Sequence, residues 1–389
     1  MSLRYYIFLK DVLLLALTAF GGPQAHIAMM FKLLVEKRRY LTDQELIELN
    51  ALCQILPGPT STQTITAIGF RIGGPNLAYL TLLVWILPAA TIMAIAALVI
   101  SYLQENNISL HFLRIILPMA VGFVAYAAWK ISVKVVTTKV AIALMVVSAV
   151  LSYFFRSPWV YPVLLIAGGA VTALRFKQHP QEKDKKLHIQ WANFFLYVGV
   201  FILAAALGGA TSSLPVRLFE NFYRNGSMVF GGGQVLVPLM YTEFVQFKGY
   251  LTGEEFLSGY AIAQALPGPT FSFTSFVGNL AMREYGIAGQ FLGSFVATVG
   301  IFLPGTFLIF FVIRFWDGLK KYRVVRASLE GISAVSSGMV VAAAIMLYHP
   351  IDNTLLNFGI VVATFALLMF TRIPAPLLIV TGLLLGFVL

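Results

Sequence analysis

Charge is what this 389-residue chain has least of: 11% of its residues are charged and 59% hydrophobic. A soluble domain carries about 25% charged residues, so a soluble globular fold is excluded. The single cysteine, Cys53, excludes an internal disulfide framework. The sequence has no Walker A phrase, no H-E-x-x-H and no G-x-S-x-G, so the marks of ATP hydrolysis, zinc proteolysis and serine hydrolysis are missing. We expect no enzyme activity, no cofactor and no metal site. Strand-length segments of alternating polarity are also missing, which argues against an outer-membrane barrel.

What is present is long apolar sequence. The uncharged runs Asn76 to Gln104 and Gly286 to Ile313 exceed the roughly 20 residues that cross a bilayer. Further runs cover Ala141 to Phe155, Pro158 to Leu174 and Gln190 to Ser213. The expected fold class is all-α, a polytopic membrane protein with the lipid bilayer as its solvent. A net charge of +11 does not point to nucleic acid, because the bases lie in loops between spans, where orientation signals belong. Arg4 and Lys10 before the apolar Val12 to Phe20 loosely resemble a signal peptide. No A-x-A site follows, and the next residues belong to a repeat, so this segment is expected to be retained.

The repeat is exact in register. Phe20-Gly21-Gly22-Pro23-Gln24 recurs as Phe230-Gly231-Gly232-Gly233-Gln234, and Tyr40-Leu41-Thr42 as Tyr250-Leu251-Thr252. Gln54-x-Leu56-Pro57-Gly58-Pro59-Thr60 recurs as Gln264-x-Leu266-Pro267-Gly268-Pro269-Thr270. Each copy lies 210 positions after the first, so the chain is a duplicated membrane unit. Paired Gly/Pro interruptions of hydrophobic segments in two halves point to a secondary-transporter binding site.

Loop charges give the expected orientation. The loop after the first Gly-Gly phrase carries Lys32, Lys37, Arg38 and Arg39, whereas its counterpart around Glu243 to Glu255 has only Lys248. The stretch Glu105 to Leu113 has no base counting Lys and Arg, but its counterpart carries Arg314, Lys320, Lys321, Arg323 and Arg326. Since bases mark the cytoplasmic side, the halves should be inverted. The linker bases Arg175, Lys177, Lys183, Lys185 and Lys186 place the linker, with the N-terminus, in the cytoplasm. The expected organisation is a first repeat over 1–175, the linker and one extra crossing over 176–211, and an inverted second repeat over 212–389. Arg217 to Arg224 is polar for a span. In each half two broken hairpins should precede about four full crossings. Thr42 to Leu56 and Pro59 to Arg71, about 14 residues or roughly 21 Å each, are too short to span and read as re-entrant; so do Thr252 to Leu266 and Pro269 to Arg283.

Broken helices leave backbone N–H groups without intrahelical partners. In lipid this is tolerated only inside protein or beside a wet cavity. Pro59 and Pro269 suit the first helical position, where the missing N–H costs nothing. Gly58 and Gly268 permit a tight turn and close approach to a ligand. The helix that follows aims about half a positive charge at the break, with the hydroxyls of Thr60, Thr62, Thr270 and Ser272 in its first turn. This is an anion site without a fixed cation. The expected substrate-binding set is Gly21, Gly22, Gln24, Gln54, Pro57, Gly58, Pro59, Thr60 and Thr62, with Gly231, Gly232, Gly233, Gln234, Gln264, Pro267, Gly268, Pro269, Thr270 and Ser272. The four glutamines supply neutral donors. The plainer alternative is that the glycines serve packing, the prolines kink and the glutamines cap. His26 has Leu236 as its counterpart and reads first as a packing residue, second as a proton relay. Glu45, Glu48, Glu254 and Glu255 are expected to face water. Arg71 and Arg283 read as interfacial side chains or as attractors of anions.

These phrases and the duplication resemble the chromate ion transporter family, in its long, two-domain form, over nearly the whole chain. The resemblance implies efflux of chromate across the inner (plasma) membrane, with sulfate as structural mimic or counter-ion. Pro23 departs from Gly233 of the second copy and should stiffen the first break. A sulfate-type carrier and a passive anion channel are the alternatives within transport. A lipid-phosphate flippase or membrane enzyme would need a His or Asp nucleophile set at both breaks, and none is visible. The oligomeric state stays open, a homo-oligomer included.

Overall fold

The computed structural model describes residues 3–388 except 21, 109, 156, 175–189, 231–232 and 316–322. Among them there are helices and no strand. The first half runs through α1 (Leu3–Thr18), α2 (Gly22–Met30), a π-helical segment (Phe31–Lys37), α3 (Asp43–Ile55), α4 (Thr60–Glu105), α5 (Ile116–Val135), α6 (Lys139–Phe154) and α7 (Val160–Ala173). After α8 (Ala192–Thr211) the second half has α9 (Leu214–Met228), α10 (Leu236–Met240), a π-helical segment (Tyr241–Phe247), α11 (Gly253–Ala265), α12 (Phe273–Ala281) and α13 (Gly286–Val312). It ends with α14 (Arg323–Met346), α15 (Leu355–Phe370) and α16 (Ala375–Val388).

The 210-residue register extends well beyond the repeated phrases. The π-helical segments begin at Phe31 and Tyr241, and α3 and α11 begin at Asp43 and Gly253. Identical chemistry starts α3 and α11. Thr42 accepts from the Glu45 amide while Glu45 accepts from the Thr42 amide, and Thr252 and Glu255 repeat the exchange. Two otherwise unpaired amides are thereby satisfied at each start. The Thr42 N–H, ahead of the nearby Arg71, holds the Glu45 carboxyl below its ordinary value.

Among the described residues five helical stretches are long and apolar enough to cross a membrane: Thr60–Glu105, His111–Val135, Ala192–Thr211, Arg283–Val312 and Ala327–Met346. That is fewer than the four full crossings per half expected from hydropathy. The apolar runs at α6, α7, α15 and α16 form helices of 16, 14, 16 and 14 residues, about 21–24 Å at 1.5 Å per residue. The short helices beginning at Thr60 and Thr270 end as expected near Arg71 and Arg283, where the chain bends at Gly73–Gly74 and at Gly286. The extra segment forms α8, which is mostly exposed.

The halves interlock. Helix α14 of the second half packs on α5, α6 and α7, and α5 of the first half packs on α11, α14 and α15. Ser132 meets Ser337 at 2.8 Å, Ser148 Oγ donates to the Val335 carbonyl at 3.0 Å, and the Gly331 N–H donates to Thr172 Oγ1 at 3.1 Å. Gly168 and Gly331 let α7 and α14 approach until a Cβ on either would strike the other's backbone, the small-residue contact that membrane helices use in place of a hydrophobic driving force.

The polar α9 is accounted for by what its charges meet. Arg224 bonds to Glu220 at 2.9 Å, to both Glu243 oxygens at 3.1 Å and to Asn221 Oδ1 at 3.1 Å, and lies 5.3 Å from the Trp159 ring centre. The cluster ties the helix before the second glycine phrase to the π-helical segment after it. Near the first phrase, buried Asp11 of α1 holds Arg38 at 2.8 Å and Tyr40 at 3.0 Å. Breaking a buried pair leaves a bare charge, which costs about 3–5 kcal/mol. Arg224→Leu should therefore lower the thermal stability of the purified protein by roughly that amount, and adding Glu243→Leu should recover part of it. Equal melting of the wild type and the single variant would contradict this account.

Candidate functional site

Each Pro-Gly-Pro turn is held by the opposite half of the chain. The Gly58 N–H donates to the Val229 carbonyl at 2.7 Å, and the Gly268 N–H donates to the Ala19 carbonyl at 2.8 Å. Gly58 and Gly268 are equivalent in the repeat, as are Ala19 and Val229. Each Pro-Gly-Pro turn is thus bonded to the residue that ends the helix before the glycine phrase in the opposite half. Packing follows the same exchange. A Cβ on Gly58 would lie 3.3 Å from Gly305 Cα, and one on Gly268 would lie 3.1 Å from Ala89 Cβ. Gly305 and Ala89 each follow the proline inside a long helix, Pro304 in α13 and Pro88 in α4.

Where these turns meet, a cavity of about 10 Å³ is lined by Pro23, Pro59, Thr60, Ser61, Gly233, Pro269, Thr270 and Phe271. That is about the room one water needs. No charged side chain among the described residues lines it. Both helix starts open onto it. Pro59 and Pro269 occupy the N-cap, one position earlier than sequence spacing suggests; Thr60 begins α4, and Thr270 begins a 3-10 turn, Thr270–Ser272, that leads into α12. Proline has no polar side chain, and neither start is capped by one. The first amides of each helix consequently keep their donor capacity, and the helix dipoles place partial positive charge at the cavity.

The structure brings together only part of the expected set. Pro59, Thr60, Gly233, Pro269 and Thr270 line the cavity, with Gly58 and Gly268 directly behind. The Pro57 carbonyl is turned away to accept from Gln63. Pro267 belongs to the matching turn of the other half, and Gly22 opens α2 with φ +79°. Gln54 is exposed on α3. Gln264 lies one turn from Tyr260, with which it bonds, and its Nε2 is buried without a partner. Thr62 is rotated out of the cavity and accepts from Trp85 Nε1 at 3.1 Å, because successive residues turn about 100° around a helix. Ser272 is buried with an unpartnered hydroxyl. Gly21, Gly231, Gly232 and the side chains of Gln24 and Gln234 lie outside the described residues.

Three contributions were not visible beforehand. Ser61 lines the cavity and meets His26 Nδ1 at 3.1 Å. Gln63, 2% exposed, donates to the carbonyls of Pro57 at 2.8 Å and Gly305 at 3.2 Å, pinning the first turn to the second half. Its position four residues past Pro59 was a signal, but its counterpart is Phe273, so the repeat gave it no emphasis. The third is the pair of carbonyls at Ala19 and Val229, whose role no side chain announces. The arginines read as anion attractors are paired instead: Arg71 with Glu45 and Arg283 with Glu255, each at 2.5 Å. Glu255 is buried rather than water-facing, and Gln104 also donates to it at 3.0 Å.

Helices built to cross a membrane, interrupted in both halves and closing on one uncharged donor-lined cavity, define a polytopic membrane transporter. The chain belongs to the chromate transporter family, whose pattern matches residues 7–174 and 216–387. A probable chromate transport protein of Synechococcus elongatus is 27% identical over 376 residues, covering 94% of this chain and 91% of that one. A chromate transport protein of Pseudomonas aeruginosa is 27% identical over 341 residues, covering 85% and 77%. One of Cupriavidus metallidurans is 24% identical over 398 residues, covering 95% and 89%. No solved structure matches.

Gly58 has φ +120° and Gly268 φ +99°, backbone that only glycine adopts freely. Alanine at either position should strain the turn by about 1–3 kcal/mol and weaken its bond to the opposite half. The two variants should lose thermal stability to a similar degree. Gly199→Ala in α8, with nothing within 4 Å of a new Cβ, should be neutral. A large loss in one turn and none in the other would mean that the two are not equivalent.

Proposed function

We propose that this chain is a secondary transporter of a tetrahedral oxyanion, chromate first among candidates, with sulfate as mimic or counter-ion. The cavity would be exposed alternately to either side by two inverted repeats, and the direction for chromate would be outward from the cytoplasm. The observation that carries this reading is the cavity itself: two uncapped helix starts, one from each half, face a single space without a fixed cation. Backbone amides and hydroxyls can then hold a divalent anion through dipoles and hydrogen bonds, and release it without breaking a strong ion pair. Four oxygens around a central atom need more room than one water, so the helix starts must part for the anion to enter. Alternating access supplies such a motion. The bonded turns at Gly58 and Gly268 are its natural hinges, since each joins a helix start to the opposite half.

Flux measurements separate this from the channel alternative. Purified protein in proteoliposomes should exchange labelled chromate for internal sulfate or chromate and show counterflow. Conduction down a gradient without exchange would favour a channel. Removing a donor to a charged group costs about 1.5–3 kcal/mol. Thr60→Ala and Thr270→Ala should therefore each weaken anion affinity roughly 10- to 150-fold, with expression intact. Normal affinity in both would remove the helix-start site.

Orientation is testable separately. In a Cys53→Ser background, Cys at Lys37 should be labelled from the cytoplasmic side and Cys at Lys248 from the opposite side. Cys at Lys320, which lies outside the described residues, should follow Lys37. Labelling of positions 37 and 248 from one side would end the inverted-repeat reading.

A further inference from the structure

One titratable group adjoins the cavity and is not used by the anion contacts described so far. His26 of α2 is 1% exposed. Its Nδ1 lies 3.1 Å from Ser61 Oγ, and Ser61 lines the cavity. Its Nε2 is buried with no hydrogen-bond partner. The Trp85 ring stands edge-on at 5.4 Å, and burial pushes the imidazole pKa down to about 4. The elements packed against α2 are α1, the π-helical segment and α4. They carry Arg4, Lys10, Asp11, Tyr5 and Tyr6, then Lys32, Glu36 and Lys37, then Arg71, Glu105, Tyr79 and Tyr102. Among the described residues His26 makes no ion pair or hydrogen bond with any of these.

We infer that His26 binds a proton together with the anion, and that Ser61 transmits the linkage to the cavity. Only one hydrogen fits between Nδ1 and Ser61 Oγ. With the imidazole neutral and Nδ1 accepting, the Ser61 hydroxyl spends its hydrogen on the ring and offers the cavity no donor. When a solvent proton is added at Nδ1, the new N–H donates to Ser61 Oγ. The hydroxyl hydrogen then turns towards the cavity. The site gains a donor and a nearby positive charge in one step, and both favour a divalent anion. Linkage is reciprocal, so an anion in the cavity must favour the imidazolium in turn. Burial keeps the imidazole neutral near neutral pH while the cavity is empty, and a bound dianion raises its pKa towards the range in which the proton is taken up.

The second half supports a dedicated role for this pair. The counterparts of His26 and Ser61 are Leu236 and Phe271, so both polar members are replaced by apolar ones at once. Phe271 nevertheless still lines the cavity. The linkage is therefore one-sided, with one proton per bound anion rather than two. A translocated dianion accompanied by this proton would carry one net charge.

The inference rests on the oxyanion reading, and the test keeps the two apart. Sulfate is the probe, since it stays a dianion over the range used. Binding to the purified full chain is measured by calorimetry from about pH 5 to about pH 8, in two buffers of different ionisation enthalpy. Wild-type affinity should rise as pH falls, by up to about tenfold per pH unit, with uptake of close to one proton per sulfate. His26→Gln should bind sulfate with a nearly flat pH profile and little proton uptake. His26→Leu, which copies the second half, should do the same and serves if the glutamine variant does not fold. Wild-type binding that is flat with pH, or a slope retained in either histidine variant, would overturn the inference while leaving the oxyanion site standing. Absence of wild-type binding to both sulfate and chromate at every pH would overturn the site and the inference together.

Discussion

A helix broken inside a bilayer must place its loose backbone groups somewhere, and this requirement organises the protein. The amides of Gly58 and Gly268 solve it by crossing to the carbonyls of Val229 and Ala19 in the opposite half. The exchange brings both helix starts to one place, leaves their first amides uncapped and closes a cavity between them. Gln63 adds a side-chain tie from the same region to Gly305. The cavity is thus a consequence of how the breaks are satisfied.

The few charges follow the same economy. The ion pairs of Asp11 with Arg38, Arg71 with Glu45, Arg224 with Glu220 and Glu243, and Arg283 with Glu255 flank the breaks and stay out of the cavity. Isolated charge at membrane depth is costly, and these pairs neutralise it where it holds arms together. In the proposed site recognition is left to dipoles, hydroxyls and amides. Such a site attracts an anion less strongly than arginine would and releases it more readily, which suits a carrier.

The duplication is not a perfect mirror, and the differences gather at the cavity. His26, Ser61 and Gln63 in the first half have Leu236, Phe271 and Phe273 as their counterparts in the second. Beside the shared threonines Thr60 and Thr270, one wall has Ser61 backed by His26, whereas the other has Phe271. The bonds that build the turns are kept in both halves, while the side chains that can respond to a ligand have diverged. Structure and response are therefore carried by different parts of the repeat.

Composition and periodicity by themselves determined the helical membrane class, the 210-residue register and the breaks at the Pro-Gly-Pro phrases. These are local matters: hydropathy, capping-box residues at Thr42 and Thr252, and backbone freedom at Gly58 and Gly268 act within a few residues. Apolar helices such as α6 and α15 are shorter than the five long ones, a difference that hydropathy alone does not report. The site was legible as a set of phrases and not as a contact list. Thr60 and Thr270 reach the cavity while Thr62 and Gln54 do not, since the direction of a side chain depends on how its helix is rotated against its neighbours. Only the tertiary structure decided that each turn bonds to the other half, that Arg71 and Arg283 are neutralised, and that His26 meets Ser61. Those contacts join residues from 26 to more than 200 positions apart, and no local preference along the chain encodes them.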